Sequence, residues 1–327
     1  IPNTIHMVWF TGENSRPFSF VNYLAVRAAS DIQKPDNLFV YFNEDITDNP
    51  HWEAAKKYAT FVKVEAPTEY GGIPLRFPQY KSDVFRLQKL YEEGGIYLDT
   101  DAILIKPLDL NHDCVLNVDH KNKVIANGIM YTQPKHPFFK RWLNKLHTEI
   151  NNPVWASHSV VLPYRLYQKN KTLITEYPVE SFLPFGWEDK WILGTDKSRL
   201  TELENSFCVH MWESMWPEVA DIDDKYLRGD TAFAQIFRKY ARLNICVYAI
   251  SKNEEQFVER FCTSAKGADM ILIADTGSTD NTVKLAVEHG AYVPTIHISP
   301  WRFDLARNAA LALIPKNIDV CVSLDLD

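Results

Sequence analysis

The chain has 327 residues, room for one large or two ordinary domains, and its 46% hydrophobic and 13% aromatic content excludes a disordered chain. A formal net charge of -7 argues against nucleic acid as an electrostatic partner and gives no reason to expect an anionic membrane surface. Five scattered cysteines without a C-x-x-C pair indicate neither a zinc site nor a disulfide framework, and no apolar run reaches membrane length. The thiols point to a reducing, cytoplasmic setting. The first residue is Ile1, so a trimmed anchor and a Golgi-lumen setting stay open, and the lone sequon Asn170-Lys171-Thr172 does not decide between them.

Residues 4–10, TIHMVWF, form a β-prone run that ends in the turn Thr11-Gly12. A helix over 20–30, a strand over 38–42, a helix over 52–58 and a strand over 61–64 follow. Alternating strands and helices predict a mainly parallel sheet with right-handed crossovers. Gly71-Gly72-Ile73-Pro74 breaks the pattern as a loop over the strands' carboxyl ends, a candidate lid.

The most informative stretch is 81–101, KSDVFRLQKLYEEGGIYLDTD. Val84, Leu87, Leu90 and Tyr91 recur at helical spacing, which gives that helix an apolar face. Asp83 and Arg86, three apart, are neighbours on its surface. Gly94-Gly95 ends the helix, since glycine tolerates the backbone that a C-terminal cap demands. Ile96-Tyr97-Leu98 fits a buried strand, and Asp99 and Asp101 project to one side at its end. Two such carboxylates repel one another unless donors or a cation neutralise them. A hard divalent ion, Mn²⁺ or Mg²⁺, bridging to a diphosphate answers that need, and the carboxyl end of a strand is where open α/β sheets place ligands.

S-D-x-x-R followed by G-G-I-Y-x-D-x-D resembles the sugar-donor signature of glycosyltransferase family 32, shared with the glucosylating domain of the large clostridial toxins. The resemblance implies a GT-A α/β fold, a nucleotide-sugar donor, a divalent metal and retention at the anomeric carbon. It implies that Asp83 and Arg86 hold the donor sugar and the leaving oxygen, and that Ser82 and Tyr97 line the donor site. Asp99 would touch ribose or sugar and Asp101 would ligate the metal, with Asp99 a candidate second ligand. In the first strand the resemblance puts the nucleotide base on Trp9, with His6 nearby. Asn127, before Gly128, matches a point near the sugar's anomeric face; the plain alternative is a turn amide.

A strand over 103–108 leaves the site, and 138–150 is an amphipathic helix with Trp142, Leu143 and Leu146 on its apolar side. Aromatics and prolines crowd 151–191, the half expected to face the acceptor; His158-Ser159 stands where the family has small residues. CVHMWESMW at 208–216 blends the family's His-x-Trp with the toxins' Ser-x-Trp. His210 would be a third metal or diphosphate contact, and Ser214 and Trp216 would bind phosphates. Met211 stands where the toxins have a carboxylate, so that ligand is not transferred.

A boundary is expected at 242–244, which splits the chain into 1–242 and 243–327. Strands over 245–250, 270–274, 292–298 and 320–324 alternate with helices over 254–265, 282–289 and 304–313, and the run closes on Asp325-Leu326-Asp327. K-N-E-E, A-D-T-G-S-T-D-N-T and L-D-L-D resemble the nucleotide-binding half of glycosyltransferase family 2. By that resemblance Glu254 and Asp275 touch the nucleotide, and Asp325 and Asp327 bind metal. The acceptor half and base of that family would lie beyond residue 327, so this second unit is expected to be incomplete.

The expectation for the whole is a metal-dependent transferase moving a hexose from a UDP-sugar, or less readily GDP-mannose, to a glycan or other hydroxyl acceptor. Two alternatives stay open: a nucleotide-sugar or glycan-binding module without turnover, and a nucleotide-sugar hydrolase.

Overall fold

The computed structural model describes every residue except 13, 14, 155, 242, 316 and 317. The chain divides into two compact units, Ile1–Tyr240 and Ala241–Asp327. The expected boundary lies beside that division, with Arg242 itself outside the described residues.

The first unit begins with β1 (Thr4–Trp9), α1 (Phe20–Ala28), β2 (Asn37–Phe42), α2 (Pro50–Ala55) and β3 (Thr60–Lys63). Ile5, Met7 and Val8 are buried on both faces of β1, the mark of a central strand. The expected loop at 71–74 is a tight hairpin, β4 (Glu69–Tyr70) with β5 (Ile73–Pro74). Then come α3 (Pro78–Glu93), β6 (Gly95–Leu98), β7 (Ala102–Leu104), β8 (Cys114–Asp119), β9 (Val124–Thr132), α4 (Pro137–Leu146), α5 (Leu162–Lys169), β10 (Thr175–Tyr177), β11 (Cys208–His210) and α6 (Ala232–Phe237).

Seven strands form one sheet in the order β10-β8-β9-β6-β1-β2-β3. β3, β2, β1 and β6 run parallel, as do β10 and β8, but β9 is antiparallel to both of its neighbours. The sheet is therefore mixed. The reason is local: only residues 120–123 separate β8 from β9, too few for a parallel crossover. The Asp119 carboxylate accepts the Asn122 N–H at 2.9 Å and closes that turn. β7 pairs separately with β11, antiparallel, and is shorter than the strand expected over 103–108.

α3 starts on Pro78, where a missing N–H costs nothing. Its buried side, Tyr80, Val84, Leu87 and Leu90, joins the main core with Phe138, Phe139 and Trp142 of α4. Gly94 ends it at φ 70°, ψ −159°, a backbone essentially reserved for glycine, and a Cβ there would stand 2.6 Å from the Pro134 nitrogen.

In the second unit, β12 (Ile245–Ser251) lies between β13 (Met270–Asp275) and β14 (Val320–Ser323), all parallel, with α7 (Glu255–Ser264), α8 (Thr282–Glu288) and α9 (Phe303–Ala312). The strand expected over 292–298 is reduced to isolated bridges at Tyr292 and Thr295. This unit has its own apolar clusters, one on Val258, Phe261 and Ile273, the other on Leu272, Ala306 and Ala310. Among the described residues no helix is long and apolar enough to cross a membrane.

Candidate active site

Asp99 follows β6 and Asp101 precedes β7. The register of β11 on β7 places His210 opposite Ala102, one residue from Asp101. A strand more than a hundred residues downstream thus delivers an imidazole to the carboxylate pair. His210 Nε2 lies 3.7 Å from Asp99 Oδ2 and 3.5 Å from Asp101 Oδ1. One ligand atom from each of the three residues falls within 4.8 Å of the others, and among the described residues no other three His, Cys, Asp or Glu do so.

The chemistry of this donor set fits a hard divalent ion. Each carboxylate gives one oxygen to the protein and turns the other to the cluster. Asp99 Oδ1 accepts from the Tyr97 hydroxyl at 2.7 Å and faces Arg86 Nη1 at 3.1 Å. Asp101 Oδ2 accepts the Glu213 N–H at 3.0 Å. Space is left by Gly128, where a Cβ would stand 2.8 Å from Asp99 Oδ2 and 3.2 Å from His210 Nε2. Burial by itself would raise the Asp99 pKa, yet Arg86, His210 and Tyr97 together bring it down to about 2. Burial pulls His210 the other way, toward neutrality, but Asp101 and Asp99 outweigh it and its pKa is raised. Protonated, His210 is a counter-charge between two carboxylates.

Arg86 is the second fixed charge. Its guanidinium lies 4.2 Å over the Tyr97 ring, donates to the Asn127 carbonyl at 3.0 Å and faces Asp83 at 3.5 Å. Both oxygens of Asp83 are engaged. Asn127 Nδ2 donates to Oδ1 at 2.8 Å, and His158 Nε2 lies 3.0 Å from Oδ2. Asp83, Arg86, Asn127, Tyr97 and Asp99 therefore form one continuous network, with the Ser82 carbonyl behind it accepting from Arg86 Nε at 3.4 Å.

The remaining first-unit candidates stand apart from that network. His6 is buried, with Nδ1 bonded to the Tyr41 hydroxyl and Nε2 to the Gly94 carbonyl, both at 3.1 Å, so it ties β1 to β2 and the end of α3. Trp9 ends β1 edge-on to Phe18, with a buried Nε1 that has no partner. Ser214 is exposed in a turn. Trp216 is packed in the interior, stacked on Phe185 at 6.1 Å, and its indole N–H donates to the Trp187 carbonyl at 2.8 Å; in this arrangement that N–H is not free for a phosphate.

In the second unit the four named carboxylates gather no such cluster. Asp275 accepts its own turn's N–H groups from Gly277 and Ser278, and Asp325 pairs with Arg307 at 2.5 Å. Asp327 is exposed. Glu254 keeps a buried, unpartnered Oε2, and burial first, then Asp327 and Asp325, raises its pKa.

Residues 24–126 match the family model described as a glycosyltransferase sugar-binding region containing a DXD motif. That span holds Asp83, Arg86, Asp99 and Asp101 but ends before Asn127, His158 and His210. Glucan organizing enzyme 1 of Cryptococcus neoformans var. grubii is 28% identical over 233 residues, 66% of this chain and 63% of that protein. The lactosylceramide 4-alpha-galactosyltransferase of Mus musculus is 30% identical over 146 residues, 40% of either chain. The chain thus spans less than two thirds of the length of either relative. Among solved structures, the PaToxG glycosyltransferase aligns at 17% identity with a TM-score of 0.38, over 53% of this chain and 73% of that one.

Sequence reasoning missed three participants. Asn22 looks like an ordinary helix residue, yet its Nδ2 donates to the Thr100 carbonyl at 3.0 Å and to Glu213 Oε2 at 2.9 Å, so it tethers the Asp99–Asp101 turn. Glu213 itself is buried beside Asp101. His158, noted only as a departure from a family pattern, is 1% exposed and braces Asp83. A capping pattern, Ser19 with Asn22, was the one local signal for any of them.

Proposed function

We propose that residues 1–242 are a GT-A-type, metal-dependent glycosyltransferase domain that moves a hexose from a nucleotide sugar to a hydroxyl acceptor with retention. UDP-sugars are favoured as donors over GDP-mannose. The observation that carries this reading is the convergence of Asp99 Oδ2, Asp101 Oδ1 and His210 Nε2 beside a buried, fully braced Arg86. The DXD-region match over 24–126 supports it. Asp99, Asp101 and His210 would hold Mn²⁺ or Mg²⁺, which when bound supplies Lewis-acid charge to a departing diphosphate.

The chain's own residues do the rest. Arg86 is held flat by Tyr97, Asp83 and Asn127, so its charge need not reorganise when negative charge develops on the leaving oxygen. Asp83 and Asn127 would orient the sugar hydroxyls. Asp83 has both oxygens engaged, and Asp99 Oδ1 is held by Tyr97 and Arg86. With no loose carboxylate in this network to act as covalent nucleophile, retention by front-face attack is the simpler route. Trp9 would stack on the base. For residues 243–327 we propose a family 2-like nucleotide-binding half, with Glu254, Asp275, Asp325 and Asp327 as its contacts.

The test is nucleotide release from UDP- and GDP-sugars with Mn²⁺, with and without acceptor sugars. Acceptor-stimulated release supports transfer. Release that no acceptor changes supports hydrolysis, and binding without release supports a recognition module.

A further inference from the structure

A cleft of about 800 Å³ opens beside Asp99, Gly128 and His210, walled by the β8–β9 hairpin and segment 179–188. Trp187 lies in that wall and is 48% exposed. Its backbone is not loose, because its carbonyl accepts the Trp216 indole N–H at 2.8 Å and Phe185 stacks on the same Trp216. A flat aromatic face on a braced segment is a platform for the C–H side of a sugar ring. Asn117, where the pairing of β8 with β9 shifts register, lines the same cleft. It is 1% exposed, its Nδ2 donates to the Val179 carbonyl at 3.1 Å, and its Oδ1 has no partner. An unsatisfied acceptor in a buried side chain calls for a hydroxyl or amide donor. Leaving aside Asp99 and His210 of the proposed metal site, three carboxylates in the lining, Asp119, Glu180 and Glu188, outnumber the single Lys121. Gly186 lets the Glu188 carboxylate fold close over the loop, where a Cβ would come within 2.7 Å of Oε2. Away from the proposed cation, that surplus of negative charge disfavours an anionic acceptor. The concave volume suits a small molecule, whereas a folded protein partner needs a broad face.

We propose that this cleft is the acceptor site and that its acceptor is a neutral oligosaccharide, with one ring seated on Trp187 and a hydroxyl group directed to Asn117. The inference rests on the donor reading above. In the step it serves, the bond from the anomeric carbon to the diphosphate oxygen breaks with its electron pair going to the diphosphate. The acceptor hydroxyl oxygen forms the new bond, and its proton passes to the departing diphosphate oxygen.

The experiment measures UDP release by the full chain with Mn²⁺ and whichever of UDP-glucose, UDP-galactose or UDP-N-acetylglucosamine it cleaves. Lactose, maltose, cellobiose, laminaribiose and mannobiose are compared with 3′-sialyllactose. At least one neutral disaccharide is expected to stimulate release and the sialylated one is not. Trp187→Ala is expected to lower the ratio of stimulated to acceptor-free release about tenfold, and Trp187→Phe to recover most of it. An unchanged ratio in Trp187→Ala, equal stimulation by 3′-sialyllactose, or no stimulation by any saccharide while the donor is still cleaved overturns the inference. Absence of cleavage of these donors and of GDP-mannose by the wild-type chain overturns the donor reading, and this inference with it.

Discussion

Asp83 shows how much a single carboxylate depends on its surroundings. It is 6% exposed and accepts from Asn127 and His158 while facing Arg86. Replacing His158 with leucine removes one donor and leaves Asp83 Oδ2 buried without it. We expect a loss of about 1–3 kcal/mol in urea unfolding, with His158→Gln recovering part of it. Gly128→Ala is expected to weaken Mn²⁺ binding by at least about tenfold with little change in melting temperature, since the added methyl group presses on Asp99 and His210. Calorimetric titration with Mn²⁺ reads it directly. Asp101→Asn should reduce metal-dependent nucleotide release by about a hundredfold or more while near-ultraviolet circular dichroism stays native. The raised pKa of His210 carries a sign as well. A proton held there competes with the ion, so Mn²⁺ affinity should fall as pH drops through the neutral range. The carboxylates and Arg86 were legible because their spacing on one helix and one strand is fixed by local geometry. Asn22, His158 and Glu213 were not, because their roles exist only through contacts 75 to 191 residues away in sequence.

The elements divide along the same line. Strand–helix alternation through β3 reads directly from the apolar periodicity, and β1, β2 and β3 do pair in parallel. The antiparallel β9 was hidden because β8 went unrecognised. Its run, CVLNVD, has a polar Asn117 in the middle, and only the pairing shows that β9 bulges opposite it, with residues 127–129 left over between the partners of Leu116 and Asn117. The short β7–β11 ladder is the other element that periodicity cannot find, since three residues carry no pattern. It is held from outside by α1. Ser19 and Asn22 cap that helix reciprocally, and Asn22 also reaches Thr100 and Glu213. Asn22→Ala should therefore weaken both the cap and the turn. We expect about 1–2 kcal/mol of destabilisation, with a parallel loss of metal affinity. Destabilisation with unchanged Mn²⁺ binding would mean that α1 supports the fold without positioning the turn.

At the scale of the whole chain, every member of the Asp99–Asp101–His210 cluster and its bracing network lies in the first unit, and the second unit has separate apolar clusters. A chain ending at Tyr240 is accordingly expected to bind Mn²⁺ and a UDP-sugar as the longer chain does, with affinities within about twofold. A larger loss would show that residues 241–327 contribute to the donor site. The delivery of His210 by β11 also has a bearing on biosynthesis. A polypeptide still emerging from the ribosome carries its two aspartates long before the imidazole that joins them has been translated. A premature stop between Asp101 and Cys208 would leave the DXD motif intact on paper and the proposed ion without its third hand.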